Sequence, residues 1–164
     1  GTIAKFHGDG VCVVFCAPVL HEDDEVRAVR VAARLVENVE KLNKRREAQR
    51  KTPIQIGVGI HTGEVIAGHI GSERRMDYTV VGDAVNVAAR IEELNKKFGT
   101  KILISDSVYE KVEPYVRVKT LTLAYLRGHK RPILVHALRE FVELPADSAK
   151  PAVRPNDIST QEAA

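Results

Sequence analysis

Between Tyr78 and Glu92 the chain changes its hydrophobic period at one dipeptide, and that change limits the folds open to it. Tyr78-Thr79-Val80-Val81 is an apolar, β-forming run. Gly82-Asp83 interrupts it, and from Ala84 an alanine- and valine-rich stretch continues with helical spacing. A buried strand therefore hands the chain straight to a helix, with Asp83 as the expected cap. Asn86 and Arg90 stand four residues apart, so they project from one face of that helix. An amide beside a guanidinium suits a hydroxyl or ring oxygen next to a phosphate. It also suits a solvated surface helix with no ligand, and this segment alone leaves both readings open.

A second segment carries a different signal. Thr2 to His7 and Val11 to Cys16 are β-forming flanks around Gly8-Asp9-Gly10, the pattern of a hairpin with a tight turn. Asp beside Gly is what such a turn wants structurally. The same turn would also present a carboxylate to a hard cation such as Mg2+. Lys5 lies four residues before Asp9, on the first strand.

Elsewhere the reading is mostly architectural. His21 to Lys51 is predicted as one amphipathic helix, from the spacing of Val26, Val29, Ala33 and Val36. Its acidic opening and basic end complement the helix dipole. Pro53 ends it, and Ile54 to Ile60 is predicted as a strand. Gly57, Gly59 and Gly63 match neither a dinucleotide nor a Walker loop and point instead to a bulge or a close backbone approach. A helix from Asp83 to Phe98 should stop at Gly99. A strand over 101–105, a short helix over 106–112 and strands over 116–126 and 132–141 follow. The resulting order, β-β-α-β-β-α-β-α-β-β, predicts an α+β fold with helices packed on a mixed or antiparallel sheet. From Leu144 onward Pro, Ala, Ser and Asp dominate, so 144–164 is expected to be a disordered tail or linker.

Composition excludes several functions. At 164 residues the chain suits one domain with a real core. Its 5% aromatic content and net charge of +3 argue against nucleic-acid binding, which would use stacking platforms and a stronger basic surface. No apolar run is long enough to span a bilayer, so no membrane contact is expected of this segment. Cys12 and Cys16, four residues apart on one predicted strand, would stand about 13 Å apart, too far for a disulfide. Free thiols point to a reducing compartment, and the expected location is cytoplasmic, including the cytosolic part of a larger sensor or membrane protein.

Four ordered motifs are together far more specific than any one alone. They are Lys5-Phe6-His7-Gly8-Asp9, Gly57 through Val65, Gly68-His69-Ile70-Gly71-Ser72, and Tyr78 through Arg90. In this combination the chain closely resembles the class III nucleotide cyclase catalytic domain, the adenylyl and guanylyl cyclase family. The resemblance covers about residues 1–142. It implies a ferredoxin-like sandwich with helices on a mostly antiparallel sheet, and a catalytic domain over 1–143 lacking its first strand and helices.

The family converts a nucleoside triphosphate to a 3′,5′-cyclic monophosphate and pyrophosphate, by in-line attack of the ribose 3′-hydroxyl. By resemblance, two Mg2+ or Mn2+ ions per site are held by two aspartates. Asp9 matches the second, and the first is expected upstream of Gly1. Asn86 matches the ribose-positioning residue, and Arg90 the residue that stabilises charge on the α-phosphate. Lys5 and Thr79 match the base-selecting pair. Lysine only donates, to adenine N1, and a Thr hydroxyl accepts from the 6-amino group, so ATP is the expected substrate. Lys130 is the nearest match to the lysine that contacts the terminal phosphates, with Arg127 or Arg131 as substitutes. The family works as a head-to-tail dimer with sites at the interface, which implies a homodimer here. The competing reading is a non-catalytic cyclase-homology module that binds nucleotide or regulates a partner.

Overall fold

The structure is a computed structural model, and it describes residues 1–72, 75–125 and 132–143. In chain order the elements are β1 (Thr2–His7), β2 (Gly10–Val14), α1 (Asp24–Ala48), β3 (Val58–Ile60), β4 (Ile66–Ser72), β5 (Arg75–Val81), α2 (Asp83–Phe98), β6 (Ile102–Ser105), α3 (Asp106–Val112), β7 (Val116–Ala124) and β8 (Ile133–Phe141). A 3-10 turn at Glu113–Tyr115 joins α3 to β7. The expected tail, 144–164, and Lys130 with Arg127 and Arg131 lie outside the described residues.

A four-stranded sheet of order β3-β6-β8-β7 forms the centre. β3 and β6 run parallel, which requires a crossover, and α2 provides it. The β6–β8 and β7–β8 pairs are antiparallel, as are the separate hairpins β1–β2 and β4–β5. The α+β, mostly antiparallel expectation therefore holds.

β6 is buried along its whole length and feeds both faces of the sheet. Ile102 and Ile104 point to one side, against Val26, Val29 and Ala32 of α1 and Val108 and Val112 of α3. Leu103 points to the other, against Val87 and Ile91 of α2, with Val135 and Ala137 of β8. Alternation along one short strand thus builds two cores. Each fully buried aliphatic side chain contributes about 1.5–3 kcal/mol.

On the α1 side, polar side chains tie the helices together. Thr62 Oγ1 donates to Glu25 Oε1 at 2.9 Å, and Lys111 Nζ donates to the same oxygen. His136 on β8 is buried. Its ring stacks on Tyr109 with centroids 4.5 Å apart, and its nitrogens face Asp106 Oδ1 at 2.9 Å and Thr120 Oγ1 at 3.1 Å.

Four boundaries differ from the sequence reading. α1 opens at Asp24, whose buried carboxylate accepts the His21 N–H at 2.9 Å and closes a turn ahead of the helix. β3 begins only at Val58, because both backbone groups of Ile54 are taken by the Asn43 amide at 2.7 Å, leaving none for a strand neighbour. β4 is a strand additional to the predicted order; Gly68, His69 and Gly71 interrupt the alternation that would have announced it. Cys16 lies beyond the end of β2, so it does not share a strand with Cys12; both thiols are free.

Candidate active site

The motif residues reach the surface from three elements. Asp9 occupies the β1–β2 turn and is exposed, and Gly8 beside it adopts a left-handed φ of +59° that only glycine takes without strain. Lys5, also exposed, stands opposite Cys12 in the hairpin register, just after a bulge in β1. Burial pushes the Cys12 thiol up, which keeps it protonated. β1 lies against β5, which carries the half-buried Thr79 opposite Gly68. The Lys5 and Thr79 strands are therefore neighbours in space.

Asn86 and Arg90 sit on α2, one turn apart, the first exposed and the second half-buried. α2 begins at Asp83, with Gly82 as its cap residue. The expected Asp83 cap is thus shifted by one position: Asp83 is the first helical residue, where its charge still favours the helix N-terminus. A Cβ on Gly82 would stand 2.8 Å from Glu64 O, so the strand-to-helix corner packs tightly on the 64–65 backbone.

The hairpin turn and α2 also sense each other electrostatically. Burial raises the Glu92 pKa, and the charges of Glu93 and Asp9 raise it further. Asp9 therefore lies within electrostatic reach of the middle of α2. Among the described residues, Lys5, Asp9, Thr79, Asn86 and Arg90 make no side-chain hydrogen bond or ion pair with one another or with their neighbours. A concavity of about 340 Å³ at the far end of α1, lined by Glu40, Asn43, Lys44, Glu47, Pro53 and Lys101, contains none of them.

Two residue types essential to this arrangement were not singled out as functional from the sequence. Gly57 and Gly59 lie under α2: a Cβ on Gly59 would overlap Ala88 O and Glu92 N and stand 2.8 Å from Glu92 Cα, and one on Gly57 would stand 3.2 Å from Asn95 Cβ. Two glycines with period two, one just before β3 and one within it, are the sequence mark of such a close approach. Asn95 is buried at a position in register with Val87 and Ile91. A polar residue on an apolar stripe was the available signal.

Comparison with known proteins settles the family. The adenylate and guanylate cyclase catalytic domain matches residues 3–140. The chain belongs to the class III adenylate and guanylate cyclase family. The cyclase domain is 35% identical over 136 residues to Adenylate cyclase 1 of Rhizobium meliloti (strain 1021), covering 83% of this chain and 20% of that protein. It resembles the crystal structure of the guanylyl cyclase Cya2, with 35% identity and a TM-score of 0.75 over 87% of this chain and 72% of that one. It resembles the adenylyl cyclase CyaB of P. aeruginosa equally, with 31% identity and a TM-score of 0.76 over 85% and 72%. The cyclase domain thus spans about a fifth of the curated relative's length. None of its described helices is long and apolar enough to cross a membrane.

Class III cyclases use divalent metals, and the donor chemistry of the turn fits one. Asp9 offers a hard carboxylate on an open turn, and nothing lies within 4 Å of a Cβ built on the adjacent Gly8. Mg2+ characteristically binds through one or two carboxylates plus substrate phosphates and water. Among the described residues no three His, Cys, Asp or Glu side chains gather into a self-sufficient cage.

Proposed function

We propose that this domain is the catalytic part of an adenylate cyclase, converting ATP to 3′,5′-cyclic AMP and pyrophosphate at a head-to-tail homodimer interface in the cytoplasm. The observation that carries the reading is the set of uncommitted polar side chains, Lys5, Asp9, Thr79, Asn86 and Arg90, held on β1–β2, β5 and α2 and drawn into no internal pairing. They lie on an open surface, and a second copy of the surface would enclose them.

The roles follow from donor and acceptor chemistry. Lys5 donates to adenine N1, and the Thr79 hydroxyl accepts from the 6-amino group. The Asn86 amide orients the ribose so that its 3′-hydroxyl stands in line with the α-phosphorus. Arg90 presents fixed positive charge where the α-phosphate gains negative charge, an arrangement worth about 10²-fold in rate. Asp9 would hold two Mg2+ or Mn2+ ions together with a second carboxylate supplied from upstream of Gly1. When bound, such ions lower the pKa of the attacking hydroxyl and neutralise phosphate charge. Lys130 is the proposed contact to the terminal phosphates.

The full-length protein, incubated with ATP or GTP and Mg2+ or Mn2+, is expected to release cyclic AMP in preference to cyclic GMP. The double variant Lys5→Glu/Thr79→Cys should cut the ATP-to-GTP ratio of kcat/KM by about 10-fold or more. An unchanged ratio would reject the base-reading roles, and absence of any cyclic product would favour a non-catalytic homology module.

A further inference from the structure

We propose that Asn95 is a positioning residue, fixing the rotation and axial placement of α2 on β3 and thereby the aim of Arg90; this rests on the catalytic role given to Arg90 above. Asn95 makes no hydrogen bond to Lys5, Asp9, Thr79, Asn86 or Arg90. Its side chain instead joins three parts of the fold. Nδ2 donates to Val58 O on β3 at 3.0 Å and to Glu92 O of its own helix at 2.9 Å. Oδ1 accepts from Thr100 Oγ1 at 2.9 Å. The Asn95 backbone carbonyl accepts from Thr100 N at 3.0 Å and from Gly99, which ends the helix in a left-handed conformation. The residue is 4% exposed, so water cannot stand in for these partners.

This amide gives α2 a directional link to β3. Beside it the approach is steric: Ala88 and Glu92 backbone atoms press on Gly59. A smooth glycine surface permits close approach but does little to stop the helix rolling or sliding. Hydrogen bonds from Asn95 to a strand carbonyl do stop it, because they weaken steeply with misalignment. On the helical wheel Asn95 lies about 140° from Arg90 and about 180° from Asn86, so it anchors the side of the helix away from both. A 20° roll would move a Cα by under about 1 Å, but a guanidinium several ångströms farther from the axis by about 3 Å. Displacements of about 1 Å at reacting groups cost on the order of 10²-fold.

The test compares Asn95→Leu, near-isosteric but without polar atoms, with Thr100→Val, which removes one donor and leaves Asn95 in place. Val29→Ala, a core change on α1, is the control for lost stability alone. All are measured in the full-length protein well below their unfolding transitions. Asn95→Leu is expected to lower kcat about 10- to 100-fold with KM for ATP changed less than about twofold. Thr100→Val should show a smaller fall in the same direction, and Val29→Ala no fall. Hydrogen exchange of the folded variants should speed up across 84–92 for Asn95→Leu while amides 26–34 stay protected. Wild-type kcat in folded Asn95→Leu, or a loss matched by Val29→Ala, would overturn the inference. A wild-type protein that makes no cyclic nucleotide would instead sink the proposed function; unchanged α2 exchange in Asn95→Leu would then reject the positioning role on its own.

Discussion

The two faces of β6 hold their helices by opposite means. On the α1–α3 side, bulky aliphatic side chains fill the gap, and charged or polar groups at the rim are paired: Glu25 with Lys111 and Thr62, Arg34 with Glu143 at 2.7 Å, Lys101 with Glu40. On the α2 side, the chain at and just before β3 carries no side chains at Gly57 and Gly59, a buried amide bonds the helix to Val58, and among the described residues the Asn86 and Arg90 side chains make no hydrogen bond or ion pair. One face is built for cohesion. The other holds a helix close and oriented while leaving Asn86 and Arg90 available, which is what a site for a polyanionic substrate needs.

The largest expected consequence is steric. Gly59→Val places atoms into the α2 backbone, which cannot yield as a flexible side chain could, and should cost about 3 kcal/mol or more. Thermal unfolding measures it. A variant as stable as the parent would break the contrast between the faces.

Next is a loss of rate without a loss of fold. Arg90→Ala should reduce kcat by about 10²-fold with little change in melting temperature, since among the described residues its half-buried side chain makes no hydrogen bond or ion pair. In the proposed head-to-tail dimer one protomer supplies Asp9 to a site and its partner supplies Arg90, so mixing Arg90→Ala with Asp9→Ala chains should recover up to about a quarter of parental activity, through hybrid dimers with one intact site. Failure to recover any would count against a shared interface.

The smallest effect belongs to the cohesive face. Burial pushes the Glu25 pKa up, but the hydrogen bonds from Lys111 and Thr62 and the Lys111 charge outweigh it, and the net shift is downward. A carboxylate depressed in the folded state contributes stability above its unfolded pKa of about 4.3, lost as pH falls through the lower folded value. Glu25→Gln should therefore flatten the acid limb of the melting curve below about pH 4.5 and leave activity near neutrality intact. An identical acid limb in both proteins would remove the pairing from the account of stability.

How legible all this was differs between the faces. The α1 stripe, the Gly82 corner and the Gly99 stop are local signals, and each became the expected element. Asn86 and Arg90 stood out by their four-residue helical spacing and Asp9 by its turn, but the roles of these three, and the choice of Lys5 and Thr79, came from the resemblance of ordered motifs. The structure places the hairpin, β5 and α2 near one another but shows no bond among these five. Asn95 stayed hidden because its partner, the Val58 carbonyl, is 37 residues away, and no local pattern announces a backbone acceptor. β4 and the late start of β3 were hidden for related reasons: glycines blur strand alternation, and the Asn43 amide takes over Ile54 from across a turn.

β6 has one further consequence. Within this one four-residue strand Ile102 and Ile104 belong to one hydrophobic layer and Leu103 to the other, so the two layers are coupled through it. Denaturation of the region should proceed in a single cooperative step, with probes on α1 and on α2 reporting the same midpoint.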